Sequence, residues 1–565
     1  MKKNKVISII MSLFMIFAFS SCGDNKTSSE SSGQPSDTTW TAKPELSGTI
    51  KFAAPLSAAD RLVMMSLINE YNTFTPNVKV DIIDKGSGDN YINWVKSQMS
   101  DVESATADII QANVINEYYG TGKLVDFNDY IYSPNYYEDK TDGRYPAWNT
   151  LLDEAAYRID GATGTIPTLS FESIQLVMFY NKTLFKAKNL TIPTTWSELL
   201  TECNTISQLT YKNQLGVTTK YVPISLNSDK LGIGNYNFGW LMRVYLDQYF
   251  KDVINTAHSE EGDYNYDEEK DEDWTFKGIL ESGYTDTQLN EALNNDSPNK
   301  YTYNIVRLLD EFFSNDSDIN MTSPRYEDMM KNLKKLSKYG AGDVTYEVSK
   351  DMFYAGQSFM FVGTSDFFPL YQDAKGGLDV SEVKDQLGCF SLPAMEWAGT
   401  ANGKPSVSYT RSLGGPSNSY GIINKNKAQS ELAVDFLKFL GSKTGMNYKY
   451  SEYASNNMLI SKLPLVKNVT LPESVDITGS IPYLGECDFN PITQLGIGFA
   501  TGKSIQTLGN VIKDNIYNYI TSDTIWGDKG QAIYDSMLSN LSTYFTNNNL
   551  KENCMGNPQT NPYKT

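Results

Sequence analysis

The sequence has 565 residues, of which 40% are hydrophobic and 20% charged, and a formal net charge of −19. A chain of this length can bury a large core and exceeds the usual size of one domain. The acidic balance argues against nucleic acid as a ligand, because nucleic acid needs a basic groove. The single histidine, His258, leaves little material for a zinc site or for Ser-His-Asp catalysis.

The N-terminal segment predicts export and a tether. Lysines at positions 2, 3 and 5 precede an apolar run from Val6 to Phe19, which together are typical of a secretory signal. The following Ser-Ser-Cys is similar to the bacterial lipobox, which implies cleavage before Cys22 and lipidation of that cysteine; an ordinary signal peptide is the alternative. Residues 23–45 are polar and rich in Ser and Thr, as in a flexible tether. We expect an otherwise soluble protein, lipid-anchored to the outer face of the bacterial cytoplasmic membrane.

Strands and helices alternate from Gly48 onward. The pattern predicts a strand in "GTIKFAAP", a helix in "AADRLVMMSLINEYNTF", a strand in "NVKVDIID", a helix in "NYINWVKSQMSD" and a short buried strand in "ADIIQAN". This alternation is typical of a parallel sheet with right-handed crossovers.

The segment "LVMFYNKTLFKAKNLTIPTTWSELL" contains several local signals. Leu176 to Tyr180 predicts a buried strand, and a short helical stretch that ends at Asn189 follows it. Thr195 precedes Glu198 by three residues, which is the spacing of a helix capping box. Further on, "AVDFLKFLGSKTG" predicts an amphipathic helix that Gly441 can close, with one apolar stripe formed by Leu432, Ala433, Phe436, Leu437 and Leu440.

An acidic, irregular segment lies between Asp252 and Ser323. A solvated insertion is the favoured interpretation. Calcium is the alternative, because four oxygen-bearing residues have the 1, 3, 5, 12 spacing of an EF-hand loop, although Met321 replaces its turn glycine. These residues are Asp316, Asp318, Asn320 and Glu327. The sequence predicts no other metal and no cofactor.

Four cysteines follow Cys22, and none of them forms a CxxC pair. We expect free, mostly buried thiols, while one or two disulfides remain an alternative. The four residues are Cys203, Cys389, Cys487 and Cys554.

The order of these elements resembles the extracellular solute-binding proteins of ABC importers, in the group that binds carbohydrates. The resemblance lies in the lipobox, the tether, "GTIKFAAP", "ADII", "GKLVDFNDYI", "LVMFYNKTLFKAKNLTIPTTWSEL", "FYAGQSFMFVG" and "AVDFLKFLGSKTG", and covers Ser47 to about Asp514 apart from the acidic insertion. It implies an α/β, two-lobe fold of the periplasmic-binding-protein type II, with hinge crossovers and a cleft between the lobes. Lobe 1 would comprise 46–168 plus 362–425, and lobe 2 would comprise 169–361 plus 426–565, with the insertion at about 252–323.

The resemblance also implies a function. Such a protein captures a sugar or oligosaccharide between its lobes and delivers it to a membrane permease, as a monomer and without catalysis. Sugars need aromatic faces and planar amide or carboxylate groups. Where the family often has a stacking tryptophan after "FMFVG", this chain has "TSDFFP", so Phe367 is expected to replace it. The other ligand-binding residues carried over by position are Ser57, Gln111, Asn113, Glu172, Tyr236, Trp240, Phe489 and Asn490. Asp366 is expected to accept hydroxyl hydrogen bonds beside Phe367. Arg411, a rare arginine before a strand, either binds an acidic sugar or pairs with a carboxylate.

Two other functions remain open at this point. A polyamine or a peptide could be the solute, and polyamine binding would fit the acidic balance and weaken with salt. A surface glycoside-active enzyme would use paired carboxylates, but 67 acidic residues make such pairs inevitable and no spacing singles one out.

Overall fold

A computed structural model gives the structure of the protein. It describes residues 46–112, 115–157, 164–213, 215–229, 237–251, 258–272, 304, 306–307, 310, 321–395, 410, 414–474, 502–539, 546 and 549–556. The described residues belong to two compact units. Unit 1 takes them from Met1–Ser173 and Pro416–Asp476, and unit 2 takes them from Ile174–Gly415 and Ile477–Thr565.

The β-strands, in chain order, are β1 (Gly48–Ala53), β2 (Val78–Ile83), β3 (Ile109–Gln111), β4 (Glu172–Asn181), β5 (Thr210–Lys212), β6 (Thr218–Lys220), β7 (Val222–Ser225), β8 (Ser358–Thr364), β9 (Leu387–Phe390), β10 (Gly414–Ser417), β11 (Tyr420–Ile422) and β12 (Leu463–Pro464).

The α-helices, in chain order, are α1 (Ala58–Phe74), α2 (Asp89–Ser100), α3 (Asn128–Ile131), α4 (Trp148–Leu151), α5 (Lys182–Lys188), α6 (Trp196–Ser207), α7 (Asn237–Lys251), α8 (Glu268–Asp271), α9 (Pro324–Ser337), α10 (Tyr346–Tyr354), α11 (Phe367–Ala374), α12 (Val380–Gln386), α13 (Lys427–Leu440), α14 (Lys443–Ser455), α15 (Gly502–Thr521), α16 (Trp526–Met537) and α17 (Leu550–Cys554).

Unit 1 is built around a four-stranded sheet in the order β11-β3-β1-β2. Strand β1 is parallel to β2 and β3, and β11 is antiparallel to β3, so the predicted parallel sheet carries one antiparallel edge strand. Helix α13 packs against β1 and β11, and α14 packs against α1. The predicted apolar stripe of α13 is buried throughout, which stabilises the unit through removal of apolar area from water.

Unit 2 contains a mixed sheet in the order β10-β4-β8-β7, with β9 also paired to β4. Strand β4 is antiparallel to β8, while β7 is parallel to β8. The sheet packs under a cluster of aromatic rings; Phe367, at the start of α11, lies 4.6 Å from Phe361 and 4.8 Å from Phe179 between ring centroids. This aromatic packing forms the core beside β8.

The local signals around β4 are confirmed. The strand ends at Asn181, whose side chain accepts a hydrogen bond from the Leu184 amide at 3.0 Å and caps α5. Asn189 closes α5 in the left-handed conformation, with φ of 54°. Thr195 and Glu198 form the reciprocal capping box at 3.2 Å in both directions. These contacts are all local in sequence.

The division of the chain differs from the prediction in its second half. Residues 362–425 were assigned to lobe 1, but β8 pairs with β4 and β7 within unit 2. Residues from 426 were assigned to lobe 2, but α13 packs on β1 within unit 1. A strand and an amphipathic helix both need a partner surface, and the choice between two such surfaces depends on contacts far away in sequence. Among the described residues, none of the helices combines the length and apolar character needed to cross a membrane.

Candidate ligand-binding site

The carboxyl ends of β1 and β3 and the amino end of β11 lie together, since Gln111 pairs with Tyr420 in antiparallel register. We call this side of the sheet, where the strands end, the unit 1 edge. Tyr91 of α2 joins the two parallel strand ends. Its hydroxyl donates to the Ala53 carbonyl at 2.9 Å and accepts from the Gln111 amide at 2.9 Å. Open α/β sheets bind ligands outside the carboxyl ends of their strands, so this edge is a candidate site.

Gln111, one of the predicted residues, presents an unpaired polar atom at this edge. Its side-chain oxygen is buried and has no hydrogen-bond partner. A buried acceptor without a partner costs free energy that a ligand donor would recover. Ser57, also predicted, is exposed and caps α1, because its hydroxyl accepts from the Asp60 amide at 3.0 Å.

The same edge carries aromatic side chains that the sequence analysis did not select. Trp94 is half-buried, and its ring lies 6.0 Å from that of Tyr91. Tyr119 is half-buried too, and its hydroxyl donates to the Ala112 carbonyl at 3.0 Å. The available signal was the three-residue spacing of Tyr91 and Trp94, which places both on one side of α2.

Glu172, predicted as a ligand contact at the first crossover, is engaged by protein groups. The carboxylate is 5% exposed, its Oε2 lies 2.5 Å from Lys449 Nζ, and its Oε1 accepts from the Tyr450 hydroxyl at 3.2 Å. The ammonium group compensates the buried negative charge. As placed, Glu172 anchors α14 to the crossover strand.

A second carboxylate in unit 1 is compensated in the same way. Asp60 accepts a hydrogen bond from Tyr453 and lies 4.0 Å from Lys462 Nζ. Burial raises the pKa of this carboxyl, but the charge of Lys462, the Tyr453 hydrogen bond and the charge of Lys449 outweigh it and lower the pKa to about 2. The carboxylate is therefore an anion that is already paired.

A small cavity in unit 1 lies beside the ion pair of Glu172 and Lys449. Its volume is about 20 Å³, and its polar lining includes Glu172, Lys449, Asn418 and Ser417, whose hydroxyl is buried without a partner. A volume of this size holds about one water molecule. The cavity is too small for a sugar, so it is not by itself a solute site.

Unit 2 has a corresponding polar edge, where β7 and β8 end and β4 begins. Gln175 of β4 is 0% exposed, and neither its side-chain oxygen nor its nitrogen has a partner. At the end of β7, the hydroxyl of Ser225 and the side-chain oxygen of Asn227 are also buried and unpaired. Sequence reasoning missed these residues, because Gln175 and Ser225 look like ordinary members of apolar strands and Asn227 looks like a loop residue after one.

Two predicted aromatic contacts are buried in unit 2. Phe367 is 1% exposed and stacks at 5.3 Å, with an interplanar angle of 7°, on Tyr354. Trp240 is 6% exposed and packs edge-to-face on Tyr346 at 5.7 Å. Other aromatic rings surround Phe367, and its expected role as a stacking face for a sugar stays a prediction. Asp366 is half-buried and accepts a hydrogen bond from the Thr364 hydroxyl.

The remaining predicted residues divide between described and other parts of the chain. Glu327 lies in the first turn of α9 and pairs with Lys331 at 3.2 Å. No group of three metal-binding side chains occurs within the described segments. The predicted residues outside the described ones are Cys22, Asn113, Tyr236, Asp316, Asp318, Asn320, Arg411, Cys487, Phe489 and Asn490.

The three described cysteines are free, as expected. Cys203 and Cys554 are buried and Cys389 is half-buried. Burial raises the pKa of the Cys389 thiol to about 12, with a smaller opposing effect of Lys182. A thiol with so high a pKa is a poor nucleophile.

Comparison with known families identifies the class of protein. A family model described as "Bacterial extracellular solute-binding protein" matches residues 66–475. Because the match covers most of the chain, the protein belongs to this family. A search of curated protein sequences found no match.

Three solved structures illustrate what the chain is similar to. A cyclic alpha-maltosyl-1,6-maltose binding protein from Arthrobacter globiformis is 14% identical, with a TM-score of 0.50, 88% of this chain and 100% of that chain covered. Apo RafE from Streptococcus pneumoniae is 14% identical, with a TM-score of 0.48 and coverage of 88% and 98%. Maltose-bound T. maritima MalE3 is 14% identical, with a TM-score of 0.48 and coverage of 87% and 100%. At such identities the likeness to the first of these shows the fold alone, which is that of a two-lobe solute-binding protein.

Proposed function

We propose that the protein is the lipid-anchored, substrate-binding component of an ABC importer and captures a neutral sugar or oligosaccharide outside the cell. The family supplies the solute-binding role. The observation that carries the choice of solute is the set of unpaired neutral polar atoms at strand ends. This set comprises side-chain atoms of Gln111 in unit 1 and of Ser225 and Asn227 in unit 2.

Amides and hydroxyls are the groups that pair with sugar hydroxyls, since each offers donors or acceptors without net charge. Two lysine-compensated carboxylates close to the unit 1 edge, one buried and one half-buried, favour the same conclusion. Glu172 is compensated by Lys449, and Asp60 has its pKa lowered to about 2 beside Lys462. Each of these two carboxylates already has a lysine beside it, so neither provides an uncompensated negative charge for a cationic solute. This favours a neutral solute over a polyamine.

Aromatic side chains support a sugar in unit 1. Tyr119 is half-buried and donates to the Ala112 carbonyl just after β3. Trp94 is half-buried beside Tyr91, with Lys85 Nζ 5.5 Å from its ring centroid. Aromatic faces pack against the C–H surfaces of sugars. The Arthrobacter globiformis protein of the same fold is named for binding an oligosaccharide of this class, in agreement with the proposal.

The remaining parts of the proposal concern location and partners. Cys22 carries the lipid anchor, the membrane contact is the anchor alone, and the protein hands its solute to a permease as a monomer. No catalytic step is assigned, so the solute leaves the protein unchanged.

A thermal-shift screen of the full chain, in mild detergent, tests the proposal. The panel contains mono- and oligosaccharides, polyamines and calcium. A solute at 100 times its dissociation constant stabilises the folded protein by about 2.7 kcal/mol. We expect one class of sugar to shift the midpoint and to be recovered unchanged. A shift with polyamines alone that fades with salt would refute the sugar assignment, and altered sugar products would indicate an enzyme.

Two glutamine variants locate the site. Gln111→Met removes the unpaired amide oxygen and should weaken sugar binding severalfold, the equivalent of about 1 kcal/mol. Gln429→Met is the matched control, because Gln429 donates to the Thr49 carbonyl at 2.9 Å near the opposite end of β1. Equal effects of the two substitutions on affinity would contradict a site at the β3 end.

A further inference from the structure

Gln175 is the second residue of unit 2, immediately after the chain leaves unit 1 along β4. Its side chain is fully buried, and neither atom of the side-chain amide has a hydrogen-bond partner. A glutamine amide carries two donor hydrogens and an oxygen that accepts twice. A native fold rarely leaves such a group unpaired, and an exception calls for an explanation.

The second crossover passes directly against this amide. A Cβ at Gly414 would lie 2.6 Å from the Gln175 side-chain oxygen and 2.5 Å from the Ile174 carbonyl, so only glycine fits there. The next residue, Gly415, has φ of 145°, which also favours glycine, and the chain enters unit 1 at Pro416. The unpaired amide therefore lies beside the main chain of the other crossover.

Another buried glutamine of unit 2 shows the ordinary arrangement. Gln248 of α7 is 1% exposed, donates to the Met395 carbonyl at 2.9 Å and accepts from the Met395 amide at 2.9 Å. The fold thus satisfies a buried amide where the role of that amide is structural. Gln175 differs from Gln248 in having neither bond.

We propose that Gln175 is a positioning residue that couples the crossovers to solute binding, an inference that depends on the proposed function. The crossover strands are the segments whose torsion angles change when two lobes rearrange around a solute. In the solute-bound conformation, the Gln175 amide pairs with the main chain of Gly414 and Gly415. Because the bonds form in that conformation only, they shift the conformational equilibrium toward it and tighten solute binding.

The test compares Gln175→Met with Gln248→Met in the full chain. Methionine keeps the length of glutamine and removes its hydrogen bonding. We measure the thermal midpoint without solute and the dissociation constant by calorimetry, with the solute that gives the largest shift on the wild type. For Gln175→Met we expect a midpoint a few degrees higher and binding at least tenfold weaker. For Gln248→Met we expect a lower midpoint and unchanged binding.

Two results would overturn the inference. If Gln175→Met behaves like Gln248→Met, its amide has a permanent partner. If the midpoint of Gln175→Met rises while the dissociation constant is unchanged, the amide is unpaired in both conformations. If the wild type binds a solute other than a sugar, the sugar assignment fails. The dissociation constants of Gln175→Met and Gln248→Met for that solute then decide the role of Gln175.

Discussion

Replacement of Asp60 by asparagine tests the electrostatics of unit 1 most directly. The substitution preserves the size of the side chain and removes its charge. Asp60 lies in the first turn of α1, accepts a hydrogen bond from Tyr453 and lies 4.0 Å from Lys462 Nζ. Burial opposes ionisation, but these partners and Lys449 lower the pKa from 3.8 to about 2.

The magnitude follows from this difference in pKa. The fall from 3.8 to about 2 corresponds to about 2.5 kcal/mol, at about 1.36 kcal/mol per pKa unit. Because the pKa of the folded state is depressed, the stabilisation is fully present above the unfolded-state pKa and is lost as the pH falls through about 2. At pH 3 about half of it should remain.

Urea denaturation of wild type and Asp60→Asn at pH 7 and pH 3 measures the effect. We expect the variant to be less stable by about 2.5 kcal/mol at pH 7 and by about half as much at pH 3. Asp81→Asn is the control, because Asp81 forms surface ion pairs with Lys51 and Lys79, and its loss should change stability little. If Asp60→Asn lowers the free energy of unfolding by the same amount at both pH values, the reasoning is refuted, because the loss of stability would then not depend on the charge of Asp60.

Three further substitutions test packing, pairing and capping. Lys449→Met should lower the free energy of unfolding by about 3–5 kcal/mol, because it leaves Glu172 buried without its cation. The double variant with Glu172→Met should recover much of that loss in urea denaturation, and additive losses would contradict the pairing. Phe367→Ala should lower the free energy of unfolding by about 3–5 kcal/mol, and a fully stable variant would show that the ring is not in the core. Thr195→Ala should cost about 1 kcal/mol through loss of the capping box, whereas Thr201→Ala, in the middle of the same helix, should be neutral or stabilising; equal thermal midpoints of the two variants would contradict the capping.

Much of the local structure could be predicted from sequence. Helix α1 spans the predicted residues, and the capping box at Thr195 and the closure of α5 at Asn189 are confirmed. These features depend on groups a few residues apart, so their spacing in the chain is sufficient information. The buried stripe of α13 is predictable for the same reason, because its helical period is written in the sequence.

The candidate site was only partly predictable. Gln111 was selected from its place at the end of a strand, and its unpaired oxygen agrees with a binding role. Phe367 was selected by analogy with a stacking tryptophan, but Phe179 and Phe361 pack around its ring. Gln175 was not selected, because a polar residue inside an apolar strand shows its lack of partners only once its neighbours are known.

The sequence by itself determined the bounds of several elements, because these depend on local spacing. The order of its motifs also indicated the class of protein and a two-lobe α/β fold, through their resemblance to a known family. Only the tertiary structure decided that β8 lies beside β4, that α13 covers β1, and that Glu172 is compensated by Lys449. The physical reason is the distance along the chain. Pairing of strands and compensation of buried charge join residues separated by hundreds of positions, and many alternative partners have the same local pattern.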